Sequence, residues 1–194
     1  MKKTIFLATF VCLLAISAFA QDKKTDFSGT WSLDKTKSQL DQRMQMGVES
    51  MTLTVAQTDK DIKVTTETKR TPPPDGAMQG GGGQGNGQGG GQGRGMGRGG
   101  FGDGTNLYTL DGKETTTEVD GPMGKMPVKL KAEMEKDGKL KLTSVRTFSG
   151  QMGEITLTTK ETWSLSEDGK TLTVKRDSES PRGTNSSEMV FTKK

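Results

Sequence analysis

Six Asp-Gly pairs divide this chain, and the segments between them alternate apolar and polar residues. The pairs are Asp75-Gly76, Asp103-Gly104, Asp111-Gly112, Asp120-Gly121, Asp137-Gly138 and Asp168-Gly169. Asp-Gly suits a tight hairpin turn because both residues tolerate positive φ. Alternation with a period of two puts one set of side chains on a dry face and the other in water. Hairpins in succession make an antiparallel meander. A meander this long must close or stack to protect its edges. The expected fold is therefore all-β: an up-and-down meander of about 8–10 strands closing into a barrel.

The first twenty residues stand apart from this pattern. Met1-Lys2-Lys3 is a basic start, Thr4 to Ile16 is an apolar run, and Ala18-Phe19-Ala20 has the small-x-small form that a signal peptidase cuts. The expectation is an exported protein cleaved after Ala20, periplasmic or extracellular, with residues 21–194 as a single domain. The apolar run is too short for a comfortable span, so no transmembrane segment is expected after cleavage. Cys12, the one cysteine, leaves with the signal, and the chain has no histidine. Disulfides, Cys or His metal ligation and Ser-His or Cys-His catalysis are thereby excluded. The formal net charge is +4, and Lys2 and Lys3 supply two of those charges. What remains is too weak to imply nucleic acid or an anionic membrane as partner.

Strands are expected at Gly29–Leu33, around Met51, Leu53 and Val55, from Ile62 to about Lys69, and at 106–110, 114–119, 127–134, 139–147, 154–165, 170–177 and 188–192. Asp34 to Met46 is polar with Leu40, Met44 and Met46 at loosely helical spacing, which fits a short helix or a lid. Between Pro72 and Gly104 the composition changes. Glycine makes up 17 of the 29 residues from Gly76 to Gly104, with Gln filling much of the rest. Such a tract cannot bury enough apolar surface to offset its ordering entropy, so 71–104 is expected to be a disordered Gly/Gln-rich loop. It interrupts a hairpin rather than separating two domains, because neither side has enough strands to close a sheet alone. Loop closure costs grow only logarithmically with length.

Phe27-Ser28-Gly29-Thr30-Trp31-Ser32-Leu33 resembles the Gly-x-Trp opening of the calycins, the lipocalins and fatty-acid-binding proteins. The order of a Gly-x-Trp strand, a short helical stretch and a meander is similar to theirs. The stretch from Asp34 through Lys37-Ser38 also resembles secreted bacterial lipocalin-like proteins. The resemblance implies that Trp31 closes one end of the barrel and that Gly29 gives it room. It also implies a lumen for a small hydrophobic or amphiphilic ligand. The Gly-rich insertion and the lack of further lipocalin motifs depart from the family.

Three charged residues share the parity of inward apolar neighbours. Arg146 follows Leu140, Leu142 and Ser144; Arg176 follows Leu172 and Val174; Glu161 lies between Thr159 and Trp163. Arginine supplies a fixed fork of donors that suits a carboxylate, and a dry lumen strengthens the contact. Arg146, Arg176, Glu161 and Trp163 are thus the candidate ligand-binding residues for an amphiphile with an anionic head. The plainer reading places the arginines at strand ends or pairs them internally with Glu161. Arg94 and Arg98 imitate an RNA-binding Arg-Gly-Gly box, but two arginines and Phe101 are too few. Met44, Met46, Met51, Met123 and Met126 raise Cu(I), although methionine also fills irregular gaps. No carboxylate pair stands out for acid–base work, so no catalytic residue, metal or cofactor is expected. The function expected is non-enzymatic binding of a small ligand. The rival is a structural or interaction module of the cell envelope with a filled barrel.

Overall fold

The computed structural model describes residues 25–71, 103–121, 124–150, 153–181 and 183–194. The expected signal peptide, Cys12, Arg94, Arg98, Phe101 and Met123 lie outside the described residues, as does nearly all of the Gly/Gln-rich tract.

Ten strands form one antiparallel sheet. They are β1 (Gly29–Leu33), β2 (Val48–Gln57), β3 (Asp61–Arg70), β4 (Gly104–Thr109), β5 (Thr115–Gly121), β6 (Gly124–Met134), β7 (Leu140–Gly150), β8 (Gly153–Leu165), β9 (Thr171–Ser180) and β10 (Gly183–Lys193). Every strand expected from alternation is present. The strand order is β4-β3-β2-β1-β10-β9-β8-β7-β6-β5. The first strand pairs with the last, Trp31 opposite Lys193 and Leu33 opposite Phe191, which curls the sheet into a nearly closed barrel. The remaining seam lies between β4 and β5, the two ends of the order. Strand β4 approaches β6 across it.

The link from β1 to β2 extends the closure. Asp34 N–H donates to the Val190 carbonyl (2.7 Å), and Gln39 and Glu188 exchange two backbone hydrogen bonds (2.7 and 2.8 Å). The single helix among the described residues, α1 (Gln42–Gly47), follows. Its N-cap Asp41 accepts from the Met44 N–H at 2.8 Å, satisfying an otherwise orphaned donor. A bulge between Val48 and Ser50 then lets both Val48 and Met51 turn inward. Leu40, Met44 and Val48 join the barrel core, so the methionines Met44 and Met51 act as packing groups, and Met46 stays in solvent.

The turns correct one expectation. Among the described residues no residue other than glycine has positive φ. Three Asp-Gly pairs do form turns, each in the triplet Asp-Gly-Lys, but only the glycine is left-handed: Gly112 (+74°), Gly138 (+81°) and Gly169 (+66°). At Asp137 the Gly138 N–H donates to the Glu135 carbonyl at 3.0 Å and the Glu135 N–H to the Lys139 carbonyl at 2.7 Å. That is a type I turn completed by a left-handed glycine. In each triplet the aspartate avoids positive φ, and its carboxylate accepts the N–H of the lysine two residues on, at 3.0, 3.2 and 3.0 Å. All three carboxyls lie below the ordinary aspartate range: Asp111 chiefly through the Lys113 N–H, Asp137 through the Lys139 ammonium and then its N–H, and Asp168 through the Ser166 hydroxyl and then the Lys170 N–H. Asp103-Gly104 begins β4 and Asp120-Gly121 ends β5 rather than forming such turns.

Strand β4 starts at Gly104, inside the stretch expected to be loop, and pairs with β3 from Thr66↔Gly104 to Asp61↔Thr109. Arg70 and Asp103 form an ion pair at 3.5 Å beside this junction. The Gly/Gln-rich tract therefore leaves and rejoins the sheet on adjacent strands.

Candidate functional site

The interior of the barrel divides into two levels. One end holds the start of β1 and the turns after β2, β4, β6 and β8. Trp31, Phe27, Trp163, Leu140, Leu172 and Phe191 are fully or almost fully buried there. Phe27 lies edge-on to Trp163, centroids 6.0 Å apart at 72°. The Trp31 indole N–H donates to the Phe27 carbonyl at 2.9 Å, so the wide ring carries no unmet donor. Gln57 holds the same segment by accepting the Phe27 N–H (3.0 Å) and donating to the Thr25 carbonyl (2.9 Å). Lys193 lies with its Nζ 5.1 Å from the centre of the Trp31 ring. A β-carbon at Gly29 would come within 2.7 Å of Lys193 Cε. Gly29 thus makes room for the lysine that covers Trp31, with the tryptophan helped indirectly.

Above this floor is a belt of charge. Glu161 and Arg176 face each other across β8 and β9. Arg176 donates from Nε and Nη2 to Glu161 Oε1, both at 2.6 Å, and the side chains are 14% and 13% exposed. Glu161 Oε2 accepts the Trp163 indole N–H at 2.8 Å. Glu161 is therefore engaged by both neighbours, and Arg176 is committed to an internal ion pair, the plainer of the two readings. Trp163 is a buried wall residue, 1% exposed. Tyr108 of β4 feels all three charges. Burial pushes its phenol well above 10.0, Glu161 pushes it further, and Arg146 and Arg176 oppose both.

Arg146 behaves differently. Opposite it stand Val128 on β6 and Leu157 on β8, neither able to accept a hydrogen bond from a side chain. Its Nε is buried and has no hydrogen-bond partner. Thr68 Oγ1 on β3 is the other such atom among the described side chains. The candidate residues Glu161, Arg176 and Trp163 are thus joined in one network, with Arg146 near it but unpaired. Sequence reasoning passed over Phe27, Tyr108, Thr68 and Lys193. Phe27 carried a usable signal, since it shares strand parity with Trp31.

A depression of about 500 Å³ at the β6–β7 turn is lined by Glu133, Met134, Glu135, Lys136 and Asp137. Glu133 and Met134 end β6 and the other three form the turn, and Lys141 of β7, the outside group that reaches them, is already paired with Glu135 at 2.6 Å. Among the described residues there is no cluster of three His, Cys, Asp or Glu side chains that could hold a metal, and no helix long and apolar enough to cross a membrane.

No protein-family model matches the sequence, and no curated protein matches it significantly. The nearly closed, ten-stranded antiparallel barrel is compatible with a calycin-like fold.

Proposed function

We propose that this is an exported, non-catalytic, lipocalin-like binding protein that holds a small amphiphilic molecule in the barrel, with an anionic group against Arg146. The observation that carries this reading is the buried Arg146 Nε without an acceptor. A buried donor of a permanent cation is costly to leave unmet, and a carboxylate or similar anion supplies the missing acceptor. Arg176, by contrast, already has its carboxylate in Glu161. Export rests on the Lys2-Lys3 start, the apolar run and the Ala18-Phe19-Ala20 site.

The test is to purify the protein from its exported fraction, extract it with solvent and identify any co-purified small molecule by mass spectrometry. An anionic amphiphile bound by wild type, and bound on the order of tenfold more weakly by Arg146→Met, supports the reading. Failure of both native extract and fluorescent fatty-acid probes to bind contradicts it.

The floor of packed aromatic side chains favours a second reading, a filled barrel that serves as an interaction module of the cell envelope. Deleting residues 76–104 separates the two. Lumen binding survives the deletion, whereas a contact made through the Gly-rich tract does not.

A further inference from the structure

Beyond the charged belt, the inward row from β7 to β10 is polar, three hydroxyls and one amide, and it continues on β6 as buried Leu130. Ser144 of β7 stands opposite Thr159 of β8, Thr159 opposite Ser178 of β9, and Ser178 opposite Asn185 of β10. All four share the parity of the inward residues below them, Leu142, Glu161, Arg176 and Ser187. Adjacent strands are about 4.8 Å apart, which spaces the row at a regular interval close to that of alternate hydroxyls on a sugar ring. None of these four side chains hydrogen-bonds to another described residue. Several outward hydroxyls are partnered: Ser186 donates to Asp177 at 2.6 Å, and Thr65 and Thr105 share a bond at 2.8 Å. Ser144, Thr159 and Ser178 are half-buried, so they meet solvent rather than protein.

This row has a fixed place. On one side, two residues along each strand, lies the Glu161–Arg176 pair; on the other lies Arg146 with its unmet Nε. An alkyl chain laid along the row would displace water from every hydroxyl and return no hydrogen bond. A group with its own hydroxyls and a carboxylate would replace those hydrogen bonds and supply the acceptor that Arg146 lacks. We infer that the lumen receives the hydroxylated acid head of its ligand, a sugar acid or similar polyhydroxy carboxylate, and not an alkyl tail. This rests on the lumen-binding reading above and specifies its chemistry. Any apolar portion of the ligand would then lie toward Leu157 and Ile155, nearer the mouth on β8.

Calorimetric titration of the full-length mature protein with D-glucuronate, D-galacturonate and laurate, in separate runs, tests this. The comparison protein carries Ser144→Ala, Thr159→Val and Ser178→Ala together, with Ser178→Ala alone as a milder variant should the triple change impair folding. The expected result is binding of a sugar acid that the triple variant weakens at least tenfold and the single variant weakens in part, with laurate bound poorly or not at all. Laurate bound in preference, with affinity unchanged in both variants, overturns the polar-head assignment and leaves lumen binding intact. Binding of none of the three probes overturns both.

Discussion

The two levels of this barrel are built from the same strands and obey opposite rules. Strand β9 shows it in four alternate residues. Leu172 is buried opposite Leu165 and Phe191 and Val174 opposite Trp163 and Met189, and Arg176 and Ser178, next on the same face, are charged and hydroxylated. Below the Glu161–Arg176 pair the barrel spends its few large side chains on a dense plug. Above it, the wall from β7 to β10 is polar and partly exposed, while Val128 and Leu130 of β6 and the α1 segment's Leu40, Met44 and Val48 are buried apolar groups at that end. A chain with only 29% hydrophobic residues cannot fill a ten-stranded barrel throughout. Its two tryptophans, Phe27 and Phe191 are buried together at the floor end.

The largest effect should come from the plug. Trp163→Ala removes the ring that Phe27 meets edge-on and the donor to Glu161, and it should cost about 3–5 kcal/mol in urea unfolding. A loss under about 1 kcal/mol would mean the floor is loosely packed and the two levels are not distinct. Next comes alkaline pH. Tyr108 is the only tyrosine, so its ionisation can be followed alone by ultraviolet absorbance. Its folded-state pKa lies above the unfolded value near 10.0, so the folded state holds this proton more tightly. The stabilisation is whole below about pH 10 and declines as pH rises through and beyond that value. Tyrosinate should therefore appear together with unfolding, and a phenol titrating near 10 in the folded protein would place Tyr108 in solvent.

The belt between the levels ranks third. Glu161→Gln keeps the shape but leaves Arg176 without its charge partner, at a cost of about 2 kcal/mol by thermal or urea unfolding. The smallest effect compares two turns at the floor end. Gly138→Ala and Gly169→Ala both force an alanine into left-handed backbone, at about 1 kcal/mol each. Only at Gly138 would the new β-carbon meet another group, Thr25 Oγ1, at 2.5 Å. Gly138→Ala should be the more destabilising, because the Thr25–Phe27 segment seals the floor. Equal losses would show that this segment does not bear on the turn.

Much of this division was legible in the chain. Met51, Leu53 and Val55, or Leu172 and Val174, announce a strand and its dry face by spacing alone. What stayed hidden depended on register between distant strands. Arg146 and Arg176 have the same local context, an arginine continuing an apolar parity. Pairing of β8 with β9 gives Arg176 the carboxylate of Glu161, and pairing of β7 with β8 gives Arg146 a leucine. Nothing within either strand encodes that outcome. The same holds for Lys193 over Trp31, which exists because the last strand meets the first. The aspartates of the Asp-Gly turns were misjudged for a local reason: their carboxylates bond the next turn residue but one and their φ is not positive.

The most direct test uses the absence of cysteine beyond position 12. In a Cys12→Ser background, a single cysteine is placed at Val174 or at Ser178, four residues apart on one strand and one face, and the rate of its reaction with a thiol reagent is measured in the folded protein. The account predicts that the thiol at 178 reacts readily. The thiol at 174 should react on the order of a thousandfold more slowly, because it requires the floor to open. Comparable rates at the two positions, whether both fast or both slow, would contradict a barrel that is plugged at one level and open at the other.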